Sequence, residues 1–195
     1  MTASNAKEVS FDITPEKEAS KLQFLLRQFS GAPPVVLRRD VDLSGKTAIV
    51  TGANGGIGLE FSRQLLDFGV SKLILAVRDE IKGEAARTTL TTAKTLEPNQ
   101  EVERAEGLSP RLDFAILNAG VNCGCFALNP NTGHEEDLQA KYLSTVLLAL
   151  LLLRLFKKIK STAGPSEYSP GCIVIVSFDT AAWAKFDEKS EGSLL

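Results

Sequence analysis

From residue 46 onward, short unbroken apolar runs alternate with longer segments in which apolar residues return every three or four positions. Lys46–Thr51 (KTAIVT), Lys72–Val77 (KLILAV), Asp113–Leu117 (DFAIL) and Cys172–Val176 (CIVIV) are the runs. Lys46–Thr51 is rich in β-branched residues, and the four short apolar runs, separated by helices, read as strands buried on both faces. Between them, Gly56–Phe68 reads as a helix ended by Gly69, and a second helix is expected from about Ile81 to Leu96. Apolar strands separated by helices predict an α/β fold, a parallel sheet covered by helices on both sides.

A third helix, from about Gly133 to Lys160, is the best marked. Thr132-x-x-Glu135 fits a capping box; Glu135, Glu136 and Asp137 sit at its positive end, and Lys157, Lys158 and Lys160 at its negative end. Its apolar run Val146–Leu153 is far too short to span a bilayer and reads as one side of a buried helix; no transmembrane segment is expected. His134, in the first turn, reads as a solvated residue rather than a ligand.

The chain's start has a different pattern. Residues 1–13 carry no periodicity, so no regular element is expected there. Thr14 then suits an N-cap with Pro15 at the first helical position. Leu22, Leu25, Leu26 and Phe29 follow at i, i+3, i+4, i+7, and the amphipathic helix stops at Ser30-Gly31 before Pro33-Pro34. The plain reading is a helix packed on the outside of the domain. The sharper one is a partner- or membrane-surface helix, although its mixed charge argues against membrane. The organisation expected is an N-terminal helical extension over residues 1–40 and a nucleotide-binding domain over 41–195.

Composition removes several classes. The formal charge is −2 with pI near 5.6, and Lys and Arg are scattered without interleaved aromatics, which argues against nucleic acid as a partner. Cys123, Cys125 and Cys172 make neither a disulfide framework nor a paired metal motif, and His134 is the sole histidine, so reduced thiols and a cytoplasmic setting are expected, with no metal. The polar start resembles no secretion signal.

The candidate chemistry lies in Thr51-Gly52-Ala53-Asn54-Gly55-Gly56-Ile57-Gly58, between a strand and a helix. Gly52 permits a tight turn, and Gly56 lets the backbone approach a pyrophosphate at the helix N-terminus. Gly58 lets the helix lie close on the strand. At the end of the second strand, where an acidic side chain would hold a ribose 2′-hydroxyl, stands Arg78 followed by Asp79. An arginine suits a 2′-phosphate, so NADP is favoured over NAD. The competing reading is an exposed Arg78 with Asp79 in the acidic role.

These residues resemble the short-chain dehydrogenase/reductase family, in particular its fungal, retinol-dehydrogenase-like members. The resemblance runs from about Val41 to Phe178, through TGANGGIG (51–58), AVRD and GEAA (76–79, 83–86), LDFAILNAGV (112–121), GHEEDLQ (133–139), LSTVLLALLLL (143–153) and IVIVS (173–177). It implies a Rossmann-type doubly wound sheet that binds the dinucleotide, with Asn118 bracing the central strands and Ile57 lying against the cofactor. It also implies hydride transfer between the cofactor and a carbonyl or alcohol carbon, here of a lipid-like or secondary-metabolite small molecule. In the family the long helix commonly forms a dimer interface, so a homo- or hetero-dimer through helix 133–160 is expected.

The family's catalytic set is not matched. Its tyrosine and the lysine four residues on have no counterpart: Tyr142 is followed at that spacing by Val146, Tyr168 by Cys172, and Leu195 comes before the motif is due. The serine slot after the last strand holds Phe178, which leaves Ser177 as the only catalytic candidate. The asparagine slot in the long helix holds Lys141. Between Glu103 and Arg111 on the order of 25 residues of the family pattern are absent, a third strand among them. The expectation is therefore a partial Rossmann sheet of about four strands, in which the connection after the second strand risks a left-handed crossover. The functional expectation is an NADP-dependent oxidoreductase by family, impaired as written. The alternatives are a non-catalytic dinucleotide-binding or interaction protein, or a degenerate or incomplete gene product.

Overall fold

The computed structural model describes residues 20–30, 36–93, 96–104, 111–162 and 170–178. Two compact units divide the chain: residues 36–176, and a second made of the residues before and after them. In the second, helix α1 (Lys21–Ser30) ends where its periodicity does, and Leu22, Leu25, Leu26 and Phe29 are exposed. The proposed cap at Thr14 and Pro15 lies outside the described residues.

The first unit is built on one sheet of five parallel strands: β1 (Thr47–Thr51), β2 (Lys72–Ala76), β3 (Glu101–Arg104), β4 (Phe114–Leu117) and β5 (Cys172–Ile175). Their spatial order is β3-β2-β1-β4-β5, so the direction of winding reverses between β1 and β4. Helix α2 (Gly56–Asp67) joins β1 to β2 and α3 (Glu80–Ala93) joins β2 to β3. After β4 a short α4 (Glu136–Leu138) runs through a π-helical turn (Gln139–Leu143) into α5 (Ser144–Thr162).

Side chains alternate across the sheet with the period of two that a strand imposes. Ala48 and Val50 of β1 and Leu73 and Leu75 of β2 join Leu66 of α2 and Ala86 and Leu90 of α3 in one buried cluster. On the opposite face Ala115 and Leu117 of β4 meet Leu152 and Phe156 of α5, with Ile49 and Ile173 against them. The sheet is thus wound on both faces, as the apolar runs predict.

Three expectations need correction. The third strand is present, and the sheet has five strands rather than four. Glu101 to Arg104 pair with Lys72 to Leu75, and Val102 is buried in the α2–α3 cluster. The buried Gln100 staples the strand's start: its amide donates to the carbonyls of Leu66 (2.9 Å) and Val70 (3.1 Å), and its side-chain oxygen accepts the Glu97 N–H (3.0 Å). Four ladder positions, one core valine and this buried amide suffice to hold an edge strand that looks too short in sequence. Because α3 leads outward to β3 on the same face as α2, the left-handed crossover does not arise. The shortfall against the family falls after β3: among the described residues no helix lies between β3 and β4.

The second correction concerns the cap of the long helix. Thr132 is not its cap, because residues 128–135 fold back on themselves, bridging Leu128 to Glu135, with Gly133 at φ +72° in a turn closed by Asn129. Glu135 caps instead, its carboxylate accepting the Leu138 N–H at 2.6 Å. The third is that α5 is buried on one face only. Leu147 and Leu150 stay 59% and 56% exposed, with Leu151 and Leu153 close behind. Glu136–Phe156 is long and apolar enough to cross a membrane by length and composition, yet Leu152 and Phe156 pack on β4.

At the opposite end of the sheet from the glycine turn, Asp113 ties three strands together. Its carboxylate accepts the Thr47 N–H (2.9 Å) and two bonds from the Arg111 guanidinium (3.0 and 3.2 Å), with the Lys46 ammonium at 3.4 Å. Its own N–H donates to Thr47 O and its carbonyl accepts the Cys172 N–H. Burial alone would raise this carboxyl's pKa, but the Arg111 and Thr47 hydrogen bonds and the two cations outweigh it and hold the group below its ordinary value. A depressed folded pKa stabilises the fold above the unfolded aspartate value of about 3.9, and that contribution disappears as pH falls through the folded value. Asp113→Ala should therefore lower unfolding free energy by about 1–3 kcal/mol at neutral pH, leaving the Thr47 N–H without a partner. The gap to wild type should close at acid pH. Urea unfolding followed by circular dichroism across pH 2–7 (roughly the range that spans both protonation states) checks both features.

Candidate functional site

β1 ends at Thr51, and the chain reverses through Gly52–Gly55 into α2. Gly52 has φ +67° and Gly56 φ +52°, the left-handed region that side chains disfavour. Gly58 shows why this turn tolerates no bulk: a Cβ there would lie 2.4 Å from Gly52 O and 2.6 Å from Asn118 Nδ2. A Cβ on Gly52 would lie 3.0 Å from Ala119 Cα. The turn, the first turn of α2 and the end of β4 are packed backbone against backbone.

The ends of β1 and β4 are also hydrogen-bonded. Thr51 Oγ1 accepts the N–H groups of both Asn118 and Ala119 at 2.9 Å, and Asn118 Nδ2 donates to Thr51 O at 3.3 Å. Asn118 thus braces the two central strands. Gly55 and Gly56 contrast with Gly58: no atom lies within 4 Å of where their Cβ atoms would be. Gly55 offers no capping side chain to the start of α2, and the helix's first turn holds no acidic residue. Its N–H groups and positive dipole end are open to an anion.

Over this turn lies a cavity of about 720 Å³, a size that suits an organic ligand or cofactor. Gly52, Asn54 and Gly55 form its floor, and Ala76, Val77 and Arg78, at the end of β2, form one end. The other end is built by Asn118–Val121 after β4, by Cys123 and Asn129, and by Glu136, Gln139, Ala140 and Ser144 of the long helix. It sits beyond the carboxyl ends of the strands where the winding reverses, the place open α/β sheets bind ligands.

Of the residues singled out in sequence, Gly52, Arg78 and Asn118 line this cavity. Gly56 and Gly58 shape the turn beneath it, and Ile57, 60% exposed, is not part of the lining. Ser177 lies two residues past β5 and is exposed. Asp79 has another occupation: its carboxylate accepts the Lys82 N–H (3.0 Å) at the start of α3, and it is absent from the cavity wall. A dinucleotide fits what is present, with an uncapped helix end above two glycines for a pyrophosphate and a guanidinium beyond β2 for a further phosphate.

Sequence reasoning overlooked the far wall. The loop after β4 folds back so that the Ala127 carbonyl accepts the Glu136 N–H, which carries the helix start to the cavity. The π turn then places Gln139 and Ala140 on the cavity side; the Thr145 hydroxyl takes up the Ala140 carbonyl at 3.2 Å. Asp137 accepts the Cys123 N–H (3.1 Å) and the Lys141 ammonium (2.8 Å), which hold it below the ordinary carboxylate range, Lys141 being the larger cause. The Asp137 and Glu136 carboxylates beside it push the Cys123 thiol up to about 11. Only the acid-rich pattern at 135–137 signalled this wall, and it reads equally well as helix-dipole compensation.

Comparison with known proteins places these observations. No family model matches the chain. The short-chain dehydrogenase fogG of Aspergillus ruber is 48% identical over 203 residues, covering 96% of this chain and 56% of that protein. The short chain dehydrogenase sol3 of Alternaria solani is 40% identical over 191 residues, covering 89% and 64%. The chain thus spans just over half the length of the relatives it matches. Among solved structures, the RhlG/NADP active-site complex of Pseudomonas aeruginosa superimposes with a TM-score of 0.51 at 22% identity, over 69% of this chain and 53% of that one, a likeness of fold. With 48% identity to fogG over 96% of its residues, the chain belongs to the short-chain dehydrogenase/reductase family.

Proposed function

We propose that this chain binds NADP and forms the cofactor half of an oxidoreductase that interconverts a ketone and an alcohol on a small molecule. The carrying observation is the pair Arg78 and Asp79. The guanidinium lines the cavity at its β2 end, while the neighbouring carboxylate is spent on capping α3. A 2′-phosphate would meet a cation there, whereas a bare 2′-hydroxyl would find no carboxylate to accept from it. The fungal origin of fogG and sol3 supports a substrate of secondary-metabolite type.

When bound, the cofactor supplies or accepts a hydride at its nicotinamide. This chain's residues bind and orient: the N–H groups of α2 and the open backbone at Gly55 and Gly56 take the pyrophosphate. Arg78 takes the 2′-phosphate, and Asn118 keeps the floor rigid. Among the described residues no tyrosine lines the cavity; Tyr142 is 60% exposed. A positioned general acid/base is worth roughly 10²–10⁴-fold, so the proton step sets how much activity the 195 residues have by themselves.

A second reading, a non-catalytic dinucleotide-binding or interaction protein, is favoured by Lys141 and Phe178 standing in the asparagine and serine slots. The exposed face of α5, with Leu147, Leu150 and Leu151, supports pairing with a second copy or an intact relative along this helix.

Two measurements test these readings. Arg78→Ala should weaken NADP binding by about tenfold or more, the loss of one charge-assisted contact, and leave NAD binding unchanged. Equal NADP affinity in the two proteins removes the assignment. In sedimentation velocity, wild type should run as a dimer and a Leu147→Lys/Leu151→Lys double variant as a monomer; a monomeric wild type refutes self-pairing.

A further inference from the structure

The cavity carries a basic and an acidic side chain, one on the β2 side and the other on the long-helix side. Among the described residues that line it, Arg78 at the end of β2 and Glu136 at the start of α4 are the only basic and acidic side chains, and the neighbouring carboxylates push the Cys123 thiol up to about 11. Glu136 is half-buried, and among the described residues no cation lies within ion-pair distance of it; its carboxylate accepts the Cys123 thiol at 3.4 Å. The nearby Lys141 is paired with Asp137, so that pair adds little net charge. The Glu136 field therefore falls on whatever occupies this end of the cavity.

What occupies it follows from the proposed function, on which this inference rests. With the pyrophosphate over Gly55 and α2 and the 2′-phosphate at Arg78, the extended dinucleotide runs across the reversal from β1 to β4, and its nicotinamide half lies toward Glu136. That ring is a cation when oxidised and neutral when reduced, and the rest of the molecule is the same in both forms. We infer that Glu136 discriminates the oxidation state of the bound cofactor, favouring NADP⁺ over NADPH. Arg78, by contrast, serves both forms alike.

The test is a pair of binding titrations on the full chain, by calorimetry, with NADP⁺ and NADPH as the two probes. In wild type the ratio of the two affinities reports the preference, since phosphate contacts common to both forms cancel. Glu136→Gln removes the charge, keeps the shape and leaves the Glu136 backbone bond to Ala127 untouched. It should weaken NADP⁺ binding by about three- to tenfold, the effect of one partly solvated charge, with NADPH changed by less than about twofold. Arg78→Ala should shift both forms together. Raising salt should move the wild-type ratio toward that of Glu136→Gln, which tests the electrostatic origin without any substitution. An NADP⁺/NADPH ratio identical in wild type and Glu136→Gln overturns this inference and leaves the proposed function standing. If neither form binds wild type, the proposed function itself falls, and this inference with it.

Discussion

The site depends on one close approach. Gly58 brings the first turn of α2 so near the Gly52 carbonyl and the Asn118 amide that no side chain fits between them. Thr51 completes the junction by accepting two N–H groups from the end of β4. Helix start, turn and central strands are thereby locked into one piece, which is what lets Gly55 and Gly56 stand open above them. A binding floor made of bare backbone must be rigid, because it has no side chains to adjust. The same close contact explains why the four glycines of one octapeptide have different physical duties.

Two buried polar residues extend that rigidity through the sheet. Asp113 joins the starts of β1, β4 and β5 at the end remote from the cavity, and Gln100 fastens β3 to the end of α2. Each serves backbone groups that the ladder does not satisfy, Asp113 the Thr47 N–H and Gln100 the Val70 carbonyl. The β3 case shows their weight: a four-residue edge strand persists although little chain is left between it and β4.

How much of this was legible in the sequence depends on the kind of signal. The strands at 47, 72, 114 and 172, the helix after the glycine turn and the places of Gly52, Gly58, Arg78 and Asn118 are local patterns, and local patterns survive folding. β3 was missed because Glu101–Arg104 carries one apolar residue; its stability comes from β2 and from Gln100, both distant in sequence. The cap at Glu135 was misplaced by three residues because the 128–135 segment bridges to itself, which no capping pattern encodes. The far wall of the cavity was invisible for a related reason. Cys123, Asn129 and Glu136 meet there only because the loop after β4 returns on itself, and its sequence has no period to read.

The exposed side of the structure has the opposite character from its floor. Among the described residues no buried side-chain nitrogen or oxygen lacks a partner. Yet the far face of α5 and the β5 strand keep Leu147, Leu150, Val174 and Ile175 about half exposed. Hydrogen bonds hold the binding floor together within this chain, whereas apolar burial at that edge is left unfinished by the same residues. Under the proposed function, a binding floor braced within this chain beside an apolar face that is not covered makes the two halves of that function separable. In that reading, dinucleotide recognition rests on the α2 start braced at Gly58 and on the side chains of Arg78 and Glu136. Chemistry on a substrate needs, in addition, whatever supplies the proton donor. The two can therefore be tested independently in this chain, binding first.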